Sequence, residues 1–284
     1  MSTFRFQHRL RVRWVEVDAQ QVVFNGHYLT YLDVAVSEYW RQVGLPYPGA
    51  WQAMGADIYV RRNALDYHAP ARLDDWLTVG VRAHRVGGSS LTLAWEARRG
   101  GQMLVDGEVV YVCVGLHDGR PMRLPEEARL QLDAFEAGGA AWIQHWGAWD
   151  EVQEAAATVR RAVFIDEQGI SDADEWDEDD ARATHLVVSN LSGWPAATGR
   201  LIPGPQALEA RIGRLAVQRS ARGAGLGREV LLALVDDARA RGFERVTLHA
   251  QCTAQALYAS AGFQPVGEVF DEVGIPHQKM QLTL

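Results

Sequence analysis

Apolar and polar residues alternate along the first half of the chain in a pattern that predicts one long helix among antiparallel strands. A strand-like alternation over residues 6–14 precedes a helical repeat from Tyr28 to about Val43, where apolar side chains recur every three or four positions. The apolar positions of this repeat are Leu29, Leu32, Val36, Tyr39, Trp40 and Val43. Further strands are predicted over 58–67, 76–85, 90–98 and 102–117, and a short helix over 125–135. One long helix beside a meander of strands predicts an α+β domain.

In the second half, a strand-like run over residues 211–217 leads into a glycine-rich turn and then a helix from 226 to about 241. Glycines permit a tight turn whose backbone N–H groups converge, and the helix N-terminus adds its positive dipole end. The segment therefore predicts a pyrophosphate site with a charged residue beside it. The residues predicted to form it are Arg222, Gly223, Ala224, Gly225, Leu226 and Gly227.

Other glycine loops fit this segment less well. A Walker loop needs Gly-Lys-Ser/Thr, but the chain's one lysine is Lys279. A dinucleotide fingerprint needs Gly-x-Gly-x-x-Gly and an acidic residue about 20 positions later. Here the spacing is Gly-x-Gly-x-Gly, and the nearest acids, Asp236 and Asp237, fall within the helix. A glycine-rich turn without a ligand remains the alternative.

The segments after the helix complete a recognisable order. A predicted strand over 245–250 is followed by Gln255-Ala256-Leu257-Tyr258 and Ala261-Gly262-Phe263. Together with the glycine loop, this order resembles the GNAT N-acetyltransferase superfamily over about residues 142–284. The segments 163–168 and 272–277 resemble its ElaA-type branch. The resemblance implies a mixed sheet flanked by helices, acetyl-CoA as a substrate and an amine as the acceptor.

The same resemblance implies roles for individual residues. The backbone of Leu215, Ala216 and Val217 is expected to hold the pantetheine arm like an added strand. Tyr258 is expected to be the general acid that protonates the departing thiolate, with a core aromatic as the alternative reading. For the general base, Glu167 and His249 are both candidates, and water is a third.

The first half carries its own motif between the first strand and the long helix. Asp18 follows the strand, the pair Val22-Val23 comes next, and Tyr28 enters the helix. This order resembles hotdog-fold thioesterases of the 4-hydroxybenzoyl-CoA and YbgC type over about residues 4–135. The resemblance implies an antiparallel sheet wrapped on the helix, an acyl-CoA substrate, and a homodimer or larger oligomer that builds its sites across the subunit interface.

Two residues of this loop are expected to carry the hydrolysis. The resemblance implies that Asp18 is the catalytic carboxylate and that the backbone N–H of Asn25 is the oxyanion donor. A carboxylate that activates water and a preorganised donor are what thioester hydrolysis requires. The alternative is that Asp18 is a turn or capping residue. His27 is a further candidate, either to contact the substrate or for a structural role.

Composition and charge bear on the possible partners, metal sites and location of the protein. The net charge is −8, and residues 139–284 hold 20 acidic against 13 basic residues, which argues against a nucleic-acid partner. Seven of those acids lie between Asp172 and Asp180, where they either attract a cationic amine or form a solvated loop. Two cysteines and scattered histidines predict neither disulfides nor a metal site. No apolar run predicts a membrane span or a signal segment, so a cytoplasmic protein is expected.

Small, flexible residues over 136–141 mark a join between two domains. We therefore predict a hotdog domain over residues 1–137 and an acetyltransferase domain over 142–284. The expected function is a bifunctional enzyme of CoA thioesters. Alternatively, the first domain is an oligomerising, CoA-binding scaffold, which Gln21 favours because the family usually has glycine there, or the second domain is only a CoA sensor.

Overall fold

Residues 4–284, which the computed structural model describes, fold as two units that each have their own sheet. The first unit ends at Ala141, and the second runs from Trp142 to Leu284. Both combine helices with a sheet, so the chain is α+β as predicted.

The first unit contains a five-stranded antiparallel sheet in the order β1-β3-β4-β5-β2. Its strands are β1 (Phe6–Arg11), β2 (Ala56–Tyr67), β3 (Trp76–Val86), β4 (Ser90–Arg99) and β5 (Gln102–Gly115), and its helices are α1 (His27–Val43), α2 (Gly49–Ala53) and α3 (Glu126–Glu136). The long helix α1 packs against β1 and β3. This is the sheet wrapped on a helix that the hotdog resemblance implies.

Helix α1 begins one residue before its predicted start and ends where Gly44 takes a left-handed conformation, with φ +86°. Its buried face consists of Tyr28, Tyr31, Leu32, Ala35, Val36, Tyr39, Trp40 and Val43. Leu29 was expected on this face, but it is 38% exposed and the prediction was wrong. Each residue turns the helix by about 100°, so the position next to Tyr28 lies at the edge of the buried stripe.

The second unit contains a seven-stranded mixed sheet in the order β11-β12-β10-β9-β8-β7-β6. Its strands are β6 (Trp142–Gly147), β7 (Thr184–Asn190), β8 (Pro195–Pro203), β9 (Glu209–Val217), β10 (Arg245–Gln251), β11 (Gln264–Glu272) and β12 (Ile275–Thr283). Its helices are α4 (Trp149–Arg160), which continues as a π-helical turn (Arg161–Glu167), α5 (Asp172–Glu175), α6 (Leu226–Ala240) and α7 (Gln255–Ser260). The predicted bounds of α6 and β10 are confirmed to within one residue.

Strand β9 changes direction at a bulge. Arg214 has a left-handed backbone with φ +51°, and the pairing of β8 with β9 shifts by one residue between Thr198 and Arg200. Before the bulge, Ile212 faces the core beneath α6, whereas after it Ala216 packs with Val159 and Phe164 on the opposite face. The extra residue therefore reverses which side chains of β9 face each layer.

Strands β9 and β10 are parallel neighbours for only three residue pairs, from Glu209 with Arg245 to Arg211 with Thr247. Beyond this point β9 stays paired with β8, while β10 stays paired with β12 along its whole length. The two strands therefore separate within the sheet, and a gap opens between their C-terminal ends.

In the described part of the chain, no helix combines the length and the apolar character that a membrane crossing requires. The two cysteines, Cys113 and Cys252, are both free.

We predict that Gly107→Ala destabilises the first unit by about 1–3 kcal/mol or more. A Cβ at Gly107 would lie far inside the contact distance of the Ala64 carbonyl oxygen, so β2 and β5 would have to move apart. Gly101→Ala is the control, because a Cβ there meets no atom within 4 Å. Chemical denaturation of both variants compares them, and equal midpoints would contradict the expected clash.

Candidate active sites

A cavity of about 530 Å³ lies in the second unit where β9 and β10 separate. The backbone of β9 from Ile212 to Val217 forms one wall, and Tyr258 of α7 and His249 of β10 also line it. Three apolar side chains of the segment after α4 complete the lining, namely Val163, Phe164 and Ile170. The cavity therefore joins several of the residues that the sequence nominated for acetyl transfer.

The glycine loop brings unpaired donors together at the N-terminus of α6. Gly223 and Gly225 have φ values of +94° and +86°, a conformation that glycine adopts at little cost. Within residues 4–284, the backbone N–H groups of Gly223, Gly225, Leu226 and Gly227 donate to no acceptor. The N–H of Ala224 is instead bonded to the Ala221 carbonyl, at 3.3 Å. Four free N–H groups at a helix N-terminus are suited to an anion.

Within the described residues 4–284, the edge of β9 that faces the gap also carries backbone groups without a strand partner. The N–H of Gln218 bonds the Ala196 carbonyl at 2.8 Å, so the alternation of an antiparallel ladder directs the N–H groups of Val217 and Leu215 to the other edge. The Val217 carbonyl lies there as well and accepts from Arg222 Nε at 3.1 Å. This edge is able to pair with an extended, amide-containing ligand.

Arg222 and Glu167 form a two-pronged ion pair, with N–O distances of 2.7 and 2.8 Å. The hydrogen bonds from Arg222 lower the pKa of Glu167, against a smaller opposing effect of burial. A carboxylate that is stabilised in its ionised form is a weaker proton acceptor. The geometry therefore favours Glu167 as a residue that holds Arg222, and its role as the base stays a prediction.

Tyr258 is buried on α7, where its ring meets the edge of Phe263. Burial raises the pKa of Tyr258 to about 12, because the phenolate would be poorly solvated. Its hydroxyl therefore carries a proton throughout the neutral range. It is able to donate a hydrogen bond, or the proton itself, to an anion that forms in the cavity.

The acidic run from Asp172 to Asp180 is solvated only in part, since Asp172, Asp174, Asp177 and Glu178 are exposed and the other acids are not. Glu175 and Asp180 are buried, and both bind the buried Arg160. Arg200 pairs with Asp177 through two hydrogen bonds of 2.6 and 2.7 Å. Arginines from α4, β8 and β9 converge on the run, although they lie far from it in sequence. Their charges neutralise much of the field that the run would otherwise exert on a cationic amine.

In the first unit, Asp18 lies in a tight turn between β1 and α1. Its Oδ1 accepts from the Gln20 N–H at 2.8 Å, and its own N–H donates to the Val22 carbonyl at 2.9 Å. Gln21 completes the turn with φ +61°, a conformation that usually favours glycine. Gln21 therefore adopts a backbone conformation that suits glycine, the residue that the thioesterase family usually has at this position.

Asn25 lies just before α1, and within residues 4–284 its N–H donates to no acceptor. Its carbonyl accepts from the Tyr67 hydroxyl at 3.1 Å, which holds the following Asn25–Gly26 peptide. His27 is partly buried and meets the Phe24 ring edge-on, with centroids 6.0 Å apart. The free N–H at the start of a helix is a suitable donor for an oxyanion.

Glu16, which anchors this loop, was not predicted from the sequence. Its buried carboxylate accepts from the Arg13 N–H and from the Tyr31 hydroxyl, each at 2.7 Å. Burial alone would raise the pKa of Glu16, but the hydrogen bonds from Arg13 and Tyr31 outweigh it and lower the pKa. Its backbone carbonyl also accepts from the Phe24 N–H at 3.0 Å. A single glutamate thus joins the loop to α1.

No group of three or more histidine, cysteine, aspartate or glutamate side chains in the described chain is arranged to hold a metal ion.

Comparison with known proteins assigns each half to a family. Residues 20–105 match the thioesterase superfamily, and residues 153–284 match the acetyltransferase (GNAT) domain. The Acyl-CoA thioester hydrolase YbgC of Escherichia coli O6:H1 is 30% identical over 44% of this chain and 94% of its own length. The uncharacterized protein YyaT of Bacillus subtilis is 35% identical over 44% of this chain and 84% of its own length. A crystal structure of a thioesterase from Thermus thermophilus, complexed with coenzyme A and Zn, is 31% identical, covers 48% of this chain and 98% of its own, and has a TM-score of 0.43.

The two sheets and these matches define a two-domain enzyme of CoA thioesters. The chain belongs to the thioesterase superfamily in its first half and to the GNAT acetyltransferases in its second. Both resemblances seen in the sequence are confirmed.

We predict that Asp180→Asn destabilises the second unit by about 3–5 kcal/mol, because Arg160 and Arg200 would lose a charged partner while buried. Glu178→Gln is the control, since Glu178 is an exposed acid of the same run and should change stability by less than about 0.5 kcal/mol. Denaturation followed by tryptophan fluorescence suits the test, because Trp149 and Trp176 lie over the Arg160 guanidinium. Equal losses of unfolding free energy in both variants would show that the buried ion pairs of Asp180 stabilise the fold no more than an exposed charge does.

Proposed function

We propose that the chain is bifunctional, hydrolysing an acyl-CoA in its first domain and transferring acetyl from acetyl-CoA to an amine in its second. The observation that carries the second activity is the cavity, whose lining joins residues of the β9 edge, Tyr258 and Arg222 of the glycine loop. We assign residues 1–137 and 142–284 to the two activities.

Acetyl-CoA has three parts that match three features of the second unit. Its pyrophosphate is suited to the free N–H groups from Gly223 to Gly227, since these converge at a helix N-terminus. Its pantetheine amides are suited to the unpaired N–H groups of Leu215 and Val217. The thioester then lies in the gap between β9 and β10, in the cavity that Tyr258 lines.

The transfer requires that a neutral amine attack the thioester carbonyl. The new C–N bond forms as the C–S bond breaks, and the sulfur leaves with the electron pair of that bond. Tyr258 supplies the proton or hydrogen bond that the thiolate needs, and its raised pKa of about 12 keeps it protonated beforehand. The proton that the amine loses passes to a base.

In the first domain, Asp18 and Asn25 lie on one loop and offer complementary chemistry. The carboxylate of Asp18 either attacks the thioester carbonyl or activates water, and the N–H of Asn25 stabilises the oxyanion. The relative YbgC, described as an acyl-CoA thioester hydrolase, supports this substrate class.

We further propose that the first domain forms a homodimer through the outer edge of β2. This strand ends the sheet, so one of its edges is unpaired in the described chain. Tyr59 and Val60 on this strand are each 54% exposed, which is a large apolar exposure for an edge. A second copy would cover them and complete the thioesterase site. Use of CoA substrates and two free cysteines favour a cytoplasmic location.

In the scaffold alternative, only the second domain is catalytically active. One experiment distinguishes this alternative from two active domains. Full-length protein is incubated with a panel of acyl-CoA esters, with and without primary amines, and free thiol and acetylated amine are both measured. Thiol release without amine reports the first domain, and acetylated amine reports the second. Acyl-CoA binding without any amine-independent release would favour the scaffold.

We predict that Asp18→Asn lowers amine-independent hydrolysis of the best acyl-CoA by at least about 100-fold. Asparagine keeps the oxygen that accepts from the Gln20 N–H, so the turn should persist while the charge is lost. Asp133→Asn, which removes an exposed carboxylate of α3, is the control. Unchanged hydrolysis in the Asp18 variant, with the acetylated amine also unchanged, would remove Asp18 from the mechanism.

We predict that Gly225→Val weakens acetyl-CoA binding by at least about 10-fold. A Cβ at Gly225 meets no protein atom within 4 Å, so the side chain would occupy the open space at the N-terminus of α6. Gly242→Val is a matched control, because Gly242 has a similar φ of +80° and equally open surroundings but lies at the opposite end of α6. Valine at a left-handed φ strains the backbone in both variants. Calorimetry that finds equal affinities in the two would contradict the pyrophosphate assignment.

A further inference from the structure

His249 and Glu272 form a pair in the cavity of the second unit. His249 Nδ1 lies 2.9 Å from Glu272 Oε2, and both side chains line the cavity that Tyr258 lines. The Phe270 ring meets the His249 ring edge-on, with centroids 4.9 Å apart. The imidazole is therefore held from two sides by neighbouring residues of β11.

This contact determines which imidazole nitrogen is free. An ionised carboxylate can only accept a hydrogen bond, so Nδ1 carries the proton in the neutral ring. The lone pair then resides on Nε2, which has no hydrogen-bond partner within residues 4–284. A carboxylate behind an imidazole fixes the tautomer and stabilises the imidazolium once the ring takes up a proton.

The position of His249 suits a reaction at the gap between the strands. Thr247, two residues before His249, is the last residue of β10 that pairs with β9, so His249 lies just past the point of separation. Leu248 faces the core beneath α6, and the alternation of the strand directs His249 to the opposite face, toward the segment after α4.

The charged groups around His249 come from three strands. Glu272 on β11 is its direct partner, Lys279 on β12 is its register partner, and His277 lies two residues before Lys279. Arg211 of β9 lies beside Thr247 and is already paired with Asp179. Glu272 is therefore the group that compensates a positive charge on the ring.

We propose that His249 is the general base of acetyl transfer and that Glu272 is its positioning residue; the proposal rests on the acetyltransferase function proposed above. Nε2 removes a proton from the substrate ammonium, and the amine lone pair so released forms the C–N bond. As the C–S bond breaks, the thiolate receives its proton from Tyr258, and the second proton that the nitrogen loses on becoming an amide returns to the Tyr258 oxygen. Glu167 is less suited to this step because both of its oxygens bind Arg222.

Two nitrogen nucleophiles of nearly equal size, used as acetyl acceptors, distinguish base catalysis by His249 from a structural role of that residue. Benzylamine is almost wholly an ammonium ion near pH 7, whereas phenylhydrazine is mostly neutral and needs no base before it attacks. With full-length His249→Gln, we expect kcat/KM for benzylamine to fall by about 100-fold or more. For phenylhydrazine we expect a loss of less than about 10-fold. Mass detection of the acetylated product excludes thiol released by the first domain.

Glu272→Gln tests the positioning role with the same two acceptors. Loss of the carboxylate removes the acceptor that holds His249 Nδ1, so kcat/KM for benzylamine should fall by about 10-fold or more. For phenylhydrazine, which needs no base before it attacks, kcat/KM should change by less than about 3-fold. Glu268→Gln is the control, since it removes an exposed carboxylate from the same strand.

Two results would overturn the assignment while the proposed function stands. One is an equal loss with both acceptors in His249→Gln at unchanged acetyl-CoA affinity. The other is a kcat/KM for benzylamine in Glu272→Gln equal to that in Glu268→Gln. A wild-type chain that binds acetyl-CoA but acetylates no amine of the panel would instead overturn the proposed function, and this inference with it.

Discussion

The cavity of the second unit exists because the pairing between β9 and β10 is short. β9 and β10 share three residue pairs, and each then follows its other neighbour, β8 or β12. The bulge at Arg214 adds a residue to β9 just after the last shared pair, so β9 bends and its side chains exchange faces. A continuous ladder here would satisfy more backbone groups, but it would leave no space for a thioester inside the sheet.

Part of the cavity lining is held in place by buried ion pairs. Arg160 and Arg200 both bind Asp180, and Arg214 donates to the carbonyl of Glu175. Buried ion pairs often contribute little net stability, because desolvation opposes the attraction. Their directional bonds nevertheless place the segment from Asp172 to Asp180 in one position. The part of the cavity that Asp174, Glu175 and Asp177 line therefore has a defined shape.

The sequence predicted features that depend on local periodicity or on adjacent residues. Helix α1 was predicted to within one residue because its apolar repeat spans more than four turns, and the glycine turn before α6 was predicted because its chemistry lies within six positions. Features that join distant segments were not predictable in this way. Glu272 lies 23 positions from His249, and Arg200 lies 20 from Asp180, so neither pair leaves a local pattern. The acidic run looked solvated because its arginine partners belong to other elements.

The unpaired edge of β9 also links the stability of the fold to its surroundings. A ligand that pairs with this edge binds the folded chain and not the unfolded one, so by mass action it adds RT ln(1 + [L]/Kd) to the free energy of unfolding. At a ligand concentration of 100 Kd this amounts to about 2.7 kcal/mol, a large part of the stability of an ordinary domain. A gap that leaves backbone groups of the free chain unsatisfied would thus become the point at which a bound ligand stabilises the fold.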